Sequence, residues 1–80
     1  MSDPVLFDLR GYRCPLPVLK TRVRLKKLLP GERAIVWTDD PLSAVDVPHF
    51  CSQNAQPLLA QERRPDGTLR FLIERGTALD

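Results

Sequence analysis

The sequence predicts an α/β two-layer sandwich, in which two helices cover one face of a four-stranded mixed sheet in the order β-α-β-α-β-β. Three observations support this prediction. Short runs of β-forming residues alternate with longer segments of helical spacing in the first two thirds of the chain. Two alternating runs around the turn Pro65-Asp-Gly67 follow in the last third. The length of 80 residues suits one small domain over 1–80, with an ordered core from about 5 to 75.

Composition excludes several classes of protein. With 42% hydrophobic and 28% charged residues, the chain has the make-up of an ordinary globular protein and not of a disordered one. No apolar run approaches the roughly 20 residues that cross a bilayer, and the N-terminus lacks a signal-peptide pattern. We therefore expect a cytoplasmic protein without a membrane partner. Two cysteines and one histidine are too few for a structural zinc site, so no metal is expected.

A turn separates the first predicted strand from the first predicted helix. The alternation from Val5 to Leu9 indicates a strand with one buried face. Gly11 gives the backbone the freedom that a tight turn needs. Pro15 fits the first position of a helix that continues to Leu29 and ends before Pro30-Gly31.

This helix has two apolar stripes. The stripe that we assign to the sheet consists of Val18, Thr21, Leu25, Leu28 and Leu29. The stripe on nearly the opposite side consists of Leu16, Leu19 and Val23, beside Lys20, Arg24 and Lys27. A two-layer domain cannot bury both stripes, so the second is predicted to be an exposed docking surface for partner proteins. In the alternative arrangement the helix is rotated and this stripe is its buried face.

The middle of the chain predicts a second strand and a second helix. Arg33–Thr38 is rich in β-formers and nearly continuous in apolar character, as in an interior strand. Asp40 is the expected N-cap of the second helix, with Pro41 at its first position. Pro48 is expected to kink this helix or to break it into 42–46 and 48–54.

The end of the chain predicts a β-hairpin. Its strands run from Leu58 to Arg64 and from Thr68 to Arg75. The alternating residues Leu69, Phe71 and Ile73 are expected to point inward.

Cys14 is the candidate reactive residue. It stands immediately before Pro15, so it is predicted to be the N-cap of the first helix, with its sulfur facing free N–H groups and the positive end of the helix dipole. Pro17 removes one of those N–H groups. With Arg10 and Arg13 close in sequence, we expect the pKa of the thiol to fall moderately from about 8.5, towards the range of about 3.5–7.5 found at such sites.

Pro17 also bears on what Cys14 can do. It occupies the position at which a Cys-x-x-Cys redox protein has its second cysteine. No neighbouring thiol can therefore close a local disulfide on Cys14. Sulfur loaded onto this residue would stay there until another protein removed it.

The run Asp8-Leu-Arg-Gly-Tyr-Arg-Cys-Pro-Leu-Pro17 resembles the Cys-Pro-x-Pro signature of the TusA/SirA sulfur-carrier family. Further matches follow in order, namely Leu29-Pro-Gly-Glu32, Thr38-Asp-Asp-Pro41, Asp46-Val-Pro48 and Phe50-Cys51. The resemblance covers roughly residues 5–75. It implies the same two-layer sandwich.

The resemblance also implies a function. It predicts a sulfurtransferase in the carrier sense, which accepts sulfane sulfur as a persulfide on Cys14 and hands it on. The donor would be a cysteine desulfurase or a rhodanese-type protein, and the acceptor a downstream protein of a sulfur relay. That relay would serve tRNA thiolation, cofactor synthesis or sulfur oxidation. No cofactor is expected beyond the covalent sulfur, and the free protein is expected to be a monomer.

Supporting roles are expected for Asp8, Arg10, Arg13, Pro15 and Pro17. Asp8 and Arg10 allow two interpretations. They form a surface ion pair that steadies the turn before Cys14, or Arg10 holds the thiolate or persulfide anion. We favour the second slightly.

Two alternative functions use other features of the chain. Eight of the twelve basic side chains lie in residues 10–33, namely Arg10, Arg13, Lys20, Arg22, Arg24, Lys26, Lys27 and Arg33. This basic segment is a solvated helix surface, a surface for acidic partners, or part of a nucleic-acid-binding or regulatory module. The few aromatic residues argue against direct nucleic-acid binding.

The other alternative is a thiol redox protein that uses Cys14 with Cys51 as a distant resolving partner. Cys51 is expected to be a small buried hydrophobic residue, which disfavours that role. His49 is expected to be a surface or capping residue and not a catalytic base.

Overall fold

The structure, a computed structural model, describes residues 3–77 and residue 79 of the chain. Its elements are β1 (Val5–Asp8), α1 (Leu16–Lys26), β2 (Arg33–Thr38), α2 (Ser43–Gln53), β3 (Leu58–Arg63) and β4 (Leu69–Glu74). The predicted order β-α-β-α-β-β is confirmed. Among these residues, no helix combines the length and the apolar character that crossing a bilayer requires.

The four strands form one mixed sheet in the order β1-β2-β4-β3. β1 pairs with β2 in parallel, because α1 carries the chain back across the sheet between them. The hairpin β3–β4 then adds to β2 through β4, and both of these pairings are antiparallel. β2 and β4 are therefore the interior strands, as the apolar character of β2 predicted. A bulge interrupts β3 between Leu58 and Ala60.

The core lies between one face of the sheet and the two helices. Phe7, Val36 and Phe71 are in register across three neighbouring strands, and all three are buried. The inward set predicted for the last strand, Leu69, Phe71 and Ile73, is also buried and thus confirmed. The remaining buried hydrophobic residues come from β1 and its loop, from β2 and from the helices: Leu9, Ala34, Leu25, Val47, Phe50 and Cys51.

The orientation of α1 agrees with the first of the two predicted arrangements. Thr21 and Leu25 are fully buried. The buried Thr21 hydroxyl has a hydrogen-bond partner, since it donates to the Pro17 carbonyl over 2.7 Å. Val18 and Leu28 are partly buried against the core.

Leu29, placed in the same stripe by the sequence, is instead 71% exposed. The prediction for this residue was wrong because α1 ends at Lys26 and Leu29 lies in the following turn. Its N–H donates to the Glu32 carboxylate there, over 2.6 Å.

The second stripe of α1 lies in solvent, as predicted. The exposed fractions of Leu16, Leu19 and Val23 are 43%, 49% and 55%. The alternative in which these residues form the buried face is therefore wrong.

Both helices begin later than predicted. Pro15 is the cap residue of α1 and not its first residue, so Pro17 falls at the second position. α2 begins at Ser43 because Asp40 first closes a tighter turn over Pro41 and Leu42. In that turn its carboxylate accepts from the Leu42 N–H and its carbonyl from the Ser43 N–H.

A single helix passes through Pro48. The predicted break at this residue was wrong, whereas a kink stays a prediction. Val47 and Phe50, on either side of Pro48, are buried in the core. Their packing holds the segment helical despite the one backbone hydrogen bond that a proline cannot donate.

Candidate active site around Cys14

The loop after β1 and the loop after β2 meet at one edge of the sheet because β1 and β2 are parallel. Gly11 turns the first loop with a φ of 93°, a value that favours glycine. Asp39, directly after β2, accepts hydrogen bonds from the Gly11 N–H at 2.9 Å and from the Arg13 guanidinium at 3.0 Å. The Gly11 bond is the main cause that holds the pKa of Asp39 below its ordinary value. This aspartate fastens the Cys14 loop to the end of β2.

Asp40 fixes the backbone of Cys14 itself. Its side chain is buried, and one carboxylate oxygen accepts from the Cys14 N–H over 2.6 Å. The other oxygen accepts from the Leu42 N–H over 3.1 Å. A buried carboxylate needs such donors, and here two backbone N–H groups supply them.

The Cys14 thiol points at α2. Sγ donates a hydrogen bond to Oδ2 of Asp46, over 3.0 Å. Pro15 is the cap residue of α1, no side chain bonds that helix end, and the Cys14–Pro15 peptide bond is cis. The prediction that Cys14 is the N-cap was therefore wrong. A carboxylate from the other helix takes the place that the helix N–H groups were expected to hold.

The predicted fall in the thiol pKa was also wrong. The hydrogen bond to Asp46 is the main cause that raises the pKa of Cys14, and desolvation and the charges of Asp46 and Asp40 add to it. The two arginines that were expected to lower the pKa are bound to other carboxylates: Arg13 to Asp39 and Arg10 to Asp8. The resting form of Cys14 is thus a neutral thiol that donates to a carboxylate.

Asp8 and Arg10 form the ion pair of the first interpretation. The Arg10 guanidinium contacts both oxygens of Asp8, at 2.9 and 2.8 Å, and holds the pKa of that carboxyl at about 2. The guanidinium carbon also lies over the Trp37 ring, 4.8 Å from the centroid. The structure thus places Arg10 against Asp8 and Trp37, and the slight preference for an anion-holding role gains no support.

The second cysteine is unlike the first. Cys14 is exposed and Cys51 is 4% exposed, and both are free thiols. Burial raises the pKa of Cys51 to about 11. Cys51 is therefore the buried residue that the sequence predicted. It is poorly suited to resolve a disulfide on Cys14. His49 is exposed, as expected of a surface residue.

Two of the basic residues predicted around the exposed stripe of α1 lie over aromatic rings of the Cys14 loop and of β1. The Lys20 ammonium is 4.5 Å from the centroid of the Tyr12 ring, in that loop. The Arg24 guanidinium is 5.7 Å from the centroid of Phe7, in β1. Lys27, just after α1, is exposed. We call the exposed face formed by Leu16, Leu19, Lys20, Val23, Arg24 and Lys27 the docking face.

Reasoning from the sequence missed the three aspartates that build the site. The positions of Asp39 and Asp40 could have been predicted, because polar residues that directly follow a parallel strand lie near the loop that follows the neighbouring strand. Asp46 belongs to a run that matches the family signature, Asp46-Val-Pro48, but nothing local linked it to Cys14, because its side chain reaches Cys14 across 32 residues of sequence.

Within the described part of the chain, no group of three or more His, Cys, Asp and Glu residues could hold a metal ion.

Two comparisons with known proteins bear on this site. A family model described as Sulfurtransferase TusA matches residues 6–75 of the chain. Among solved structures, the chain is similar to a SirA-like protein from Desulfitobacterium hafniense, with a TM-score of 0.79 and 20% sequence identity. The match covers 91% of this chain and 99% of that one, and at this identity it shows a shared fold.

Proposed function

Because the chain belongs to the TusA family of sulfurtransferases, we propose that it is a sulfur carrier that binds sulfane sulfur as a persulfide on Cys14. The observation that carries the proposal is the contrast between the two thiols. Cys14 is exposed on a loop whose backbone Asp39 and Asp40 hold in place, whereas Cys51 is buried. A carrier needs one accessible thiol in a fixed position, and this chain has one.

The chemistry needs only that thiol. The Cys14 thiolate attacks the outer sulfur of a donor persulfide, and the donor's inner sulfur leaves as a thiolate. An acceptor thiolate later attacks the outer sulfur on Cys14 and regenerates the free residue. A raised thiol pKa lowers the fraction of thiolate at neutral pH. It also makes each thiolate more nucleophilic, with a Brønsted slope of about 0.4–0.5, so part of the loss is recovered.

The absence of a nearby second thiol is what makes Cys14 a carrier and not a redox residue. Pro17 stands where the second cysteine of a Cys-x-x-Cys pair would be, and it is buried. Cys51 is enclosed in the core. A persulfide on Cys14 is therefore not resolved within the chain and waits for a partner.

The docking face suits transient protein partners. Its apolar centre, Leu16, Leu19 and Val23, begins two residues after Cys14 and continues along α1. The surrounding cations attract an acidic surface and speed encounter, while the apolar centre holds the complex. We propose a cysteine desulfurase or a rhodanese-type protein as donor, and a sulfur-relay protein as acceptor. The relay would act in the cytoplasm in tRNA thiolation, cofactor synthesis or sulfur oxidation, with the free carrier as a monomer.

The test is sulfur loading measured by mass spectrometry. The protein is incubated with a cysteine desulfurase and cysteine, and intact and digested protein are weighed. We expect one added sulfur atom on Cys14. Cys14→Ser should abolish loading, and the matched variant Cys51→Ser should keep most of it. Equal loss in both variants would contradict the assignment. A Cys14–Cys51 disulfide without added sulfur would indicate the redox alternative.

A further inference from the structure

The contact between the Cys14 thiol and Asp46 goes beyond what a bare sulfur carrier needs. Persulfide exchange requires an exposed thiol, yet here Sγ already has a carboxylate oxygen 3.0 Å away. We propose that Asp46 is a proton shuttle for Cys14. The Asp46 carboxylate accepts the thiol proton when sulfur is loaded and returns a proton to Cys14 when sulfur is handed on. This inference rests on the proposed function and concerns the same site.

The pair is held in place from two independent directions. The Cys14 backbone is fixed by the buried carboxylate of Asp40. Asp46 projects from the first turn of α2, where its N–H donates to the Leu42 carbonyl over 2.9 Å. The next residue, Val47, is fully buried and anchors that turn in the core. Neither partner needs to reorganise to keep the contact, which is the condition for efficient proton transfer.

The surroundings leave Asp46 as the group that contacts the thiol. The adjoining loops and helices hold other charged or titratable residues, among them Arg10, Arg13, Asp40, Arg22 and His49. Arg10 and Arg13 bind Asp8 and Asp39, and Asp40 binds two backbone N–H groups. Arg22 reaches from α1 to the Asn54 side chain. His49 is exposed and lines the same groove between α1 and α2 as Asp46.

The loading step then balances without any further reactant. The Sγ–H bond of Cys14 breaks, and its proton moves to Oδ2 of Asp46. The Sγ electron pair forms a bond to the outer sulfur of the donor persulfide, the donor S–S bond breaks, and the inner donor sulfur leaves as a thiolate. That thiolate takes the proton from Asp46. The products are a Cys14 persulfide and a donor thiol, with no net oxidation or reduction.

The hand-over step runs through the same atoms. The acceptor thiol gives its proton to Asp46 and attacks the outer sulfur on Cys14. The S–S bond to Cys14 breaks, and Sγ leaves as a thiolate that takes the proton back from Asp46. Cys14 returns to the thiol that donates to Asp46. Between transfers the carboxylate therefore keeps the free cysteine protonated and slow to react with other electrophiles.

The experiment compares two reactions of Cys14 in a Cys51→Ser background. Alkylation by iodoacetamide across a pH series gives the thiol pKa and the fraction of thiolate. Sulfur loading from a cysteine desulfurase across the same series gives the rate per thiolate. Asp46→Asn keeps the size of the side chain and removes its ability to take a proton. Glu62→Gln makes the same change on the opposite edge strand and serves as the control.

For Asp46→Asn we expect the two reactions to change in opposite directions. The thiol pKa should fall, so alkylation at neutral pH becomes faster. The rate of sulfur loading per thiolate should fall by about 10- to 100-fold, which is at or below the lower end of the rate enhancement that a general base usually provides. The difference in loading rate between Asp46→Asn and the parent should shrink at a pH above the thiol pKa of the parent, where Cys14 is already a thiolate and no base is needed to remove its proton. Asp46→Glu, which keeps the carboxylate, should recover part of the rate and shows that the loss does not come from misfolding.

Two results would overturn the shuttle while leaving the carrier intact. One is loading per thiolate in Asp46→Asn equal to that of the parent at neutral pH, which would make Asp46 a purely electrostatic neighbour. The other is an unchanged thiol pKa in Asp46→Asn. A parent protein that takes up no sulfur on Cys14 in the same assay would instead remove the proposed function, and the shuttle with it.

Discussion

Leu19→Glu tests the docking face at its centre. Burying a whole leucine side chain contributes about 1.5–3 kcal/mol to folding. Leu19 is 49% exposed, so its buried half contributes on the order of 1 kcal/mol to the free energy of unfolding. The aliphatic stem of glutamate keeps part of the contact. We therefore expect the free energy of unfolding to change by about 0.5 kcal/mol.

The effect on sulfur transfer should be larger than the effect on stability. A carboxylate in the apolar centre must be desolvated on docking, and it would repel the acidic surface that we propose for the partner. Truncating or charging a central interface residue costs about 1–2 kcal/mol of binding, which raises the KM for the donor protein by about 5- to 30-fold. The assay is the rate of Cys14 loading at increasing donor concentration, with urea unfolding measured on the same samples.

Leu29→Glu is the matched control, because it makes the same substitution at a residue that is 71% exposed outside the docking face. It should leave both stability and the KM for the donor close to those of the parent. Equal rises in KM for the two variants would show that added negative charge, and not the position, causes the effect. A loss of several kcal/mol in Leu19→Glu alone would show that the residue is a core residue.

The remaining predictions concern the carboxylates around the Cys14 loop. Asp40→Asn should lower the free energy of unfolding by about 2–3 kcal/mol. The amide oxygen can accept only one of the two buried backbone hydrogen bonds, and the amide nitrogen, a donor, then faces the second backbone N–H. An unchanged urea midpoint would contradict this. Asp8 has a folded-state pKa of about 2, so the stability that it adds is lost between about pH 4 and about pH 2. The folded-state pKa of Asp39 is also lowered, so the stability that Asp39 adds is present above about pH 4 and is lost as the pH falls below that value. Asp39→Asn should therefore flatten the pH dependence of urea unfolding in that window, and parallel curves for variant and parent would refute the assignment.

Much of the fold could be predicted because it depends on local patterns. The alternation of Leu69, Phe71 and Ile73 predicts a strand with one buried face, and the structure buries all three. Arg33–Thr38 was predicted to the residue as an interior strand. The helix ends were less predictable. Glu32, which binds the N–H of Leu29 after α1, and Asp40, which closes a turn before α2, decide them through side-chain contacts.

The candidate site was predicted less completely than the fold. The sequence pointed to Cys14 as the exposed thiol, since its flanking prolines and the family signature are local features. The state of that thiol was predicted wrongly, because two aspartates 26 and 32 residues away decide it. Proximity in sequence favoured Arg10 and Arg13 as the neighbours of the sulfur. The fold instead gives each arginine a closer carboxylate and brings Asp46 to the sulfur.

The division of the site between two stretches of chain has a consequence for transplanting it. The Cys-Pro-x-Pro run supplies the sulfur, but its geometry comes from the segment between Asp39 and Asp46, on the far side of β2. A peptide that carries only residues 8–17, or a graft of that run onto another protein, would bring the thiol without the two carboxylates that hold its loop and the third that accepts from Sγ. A transplant would need at least the segment from β1 to the first turn of α2, about half of the chain, and a partner strand in place of β4 beside β2.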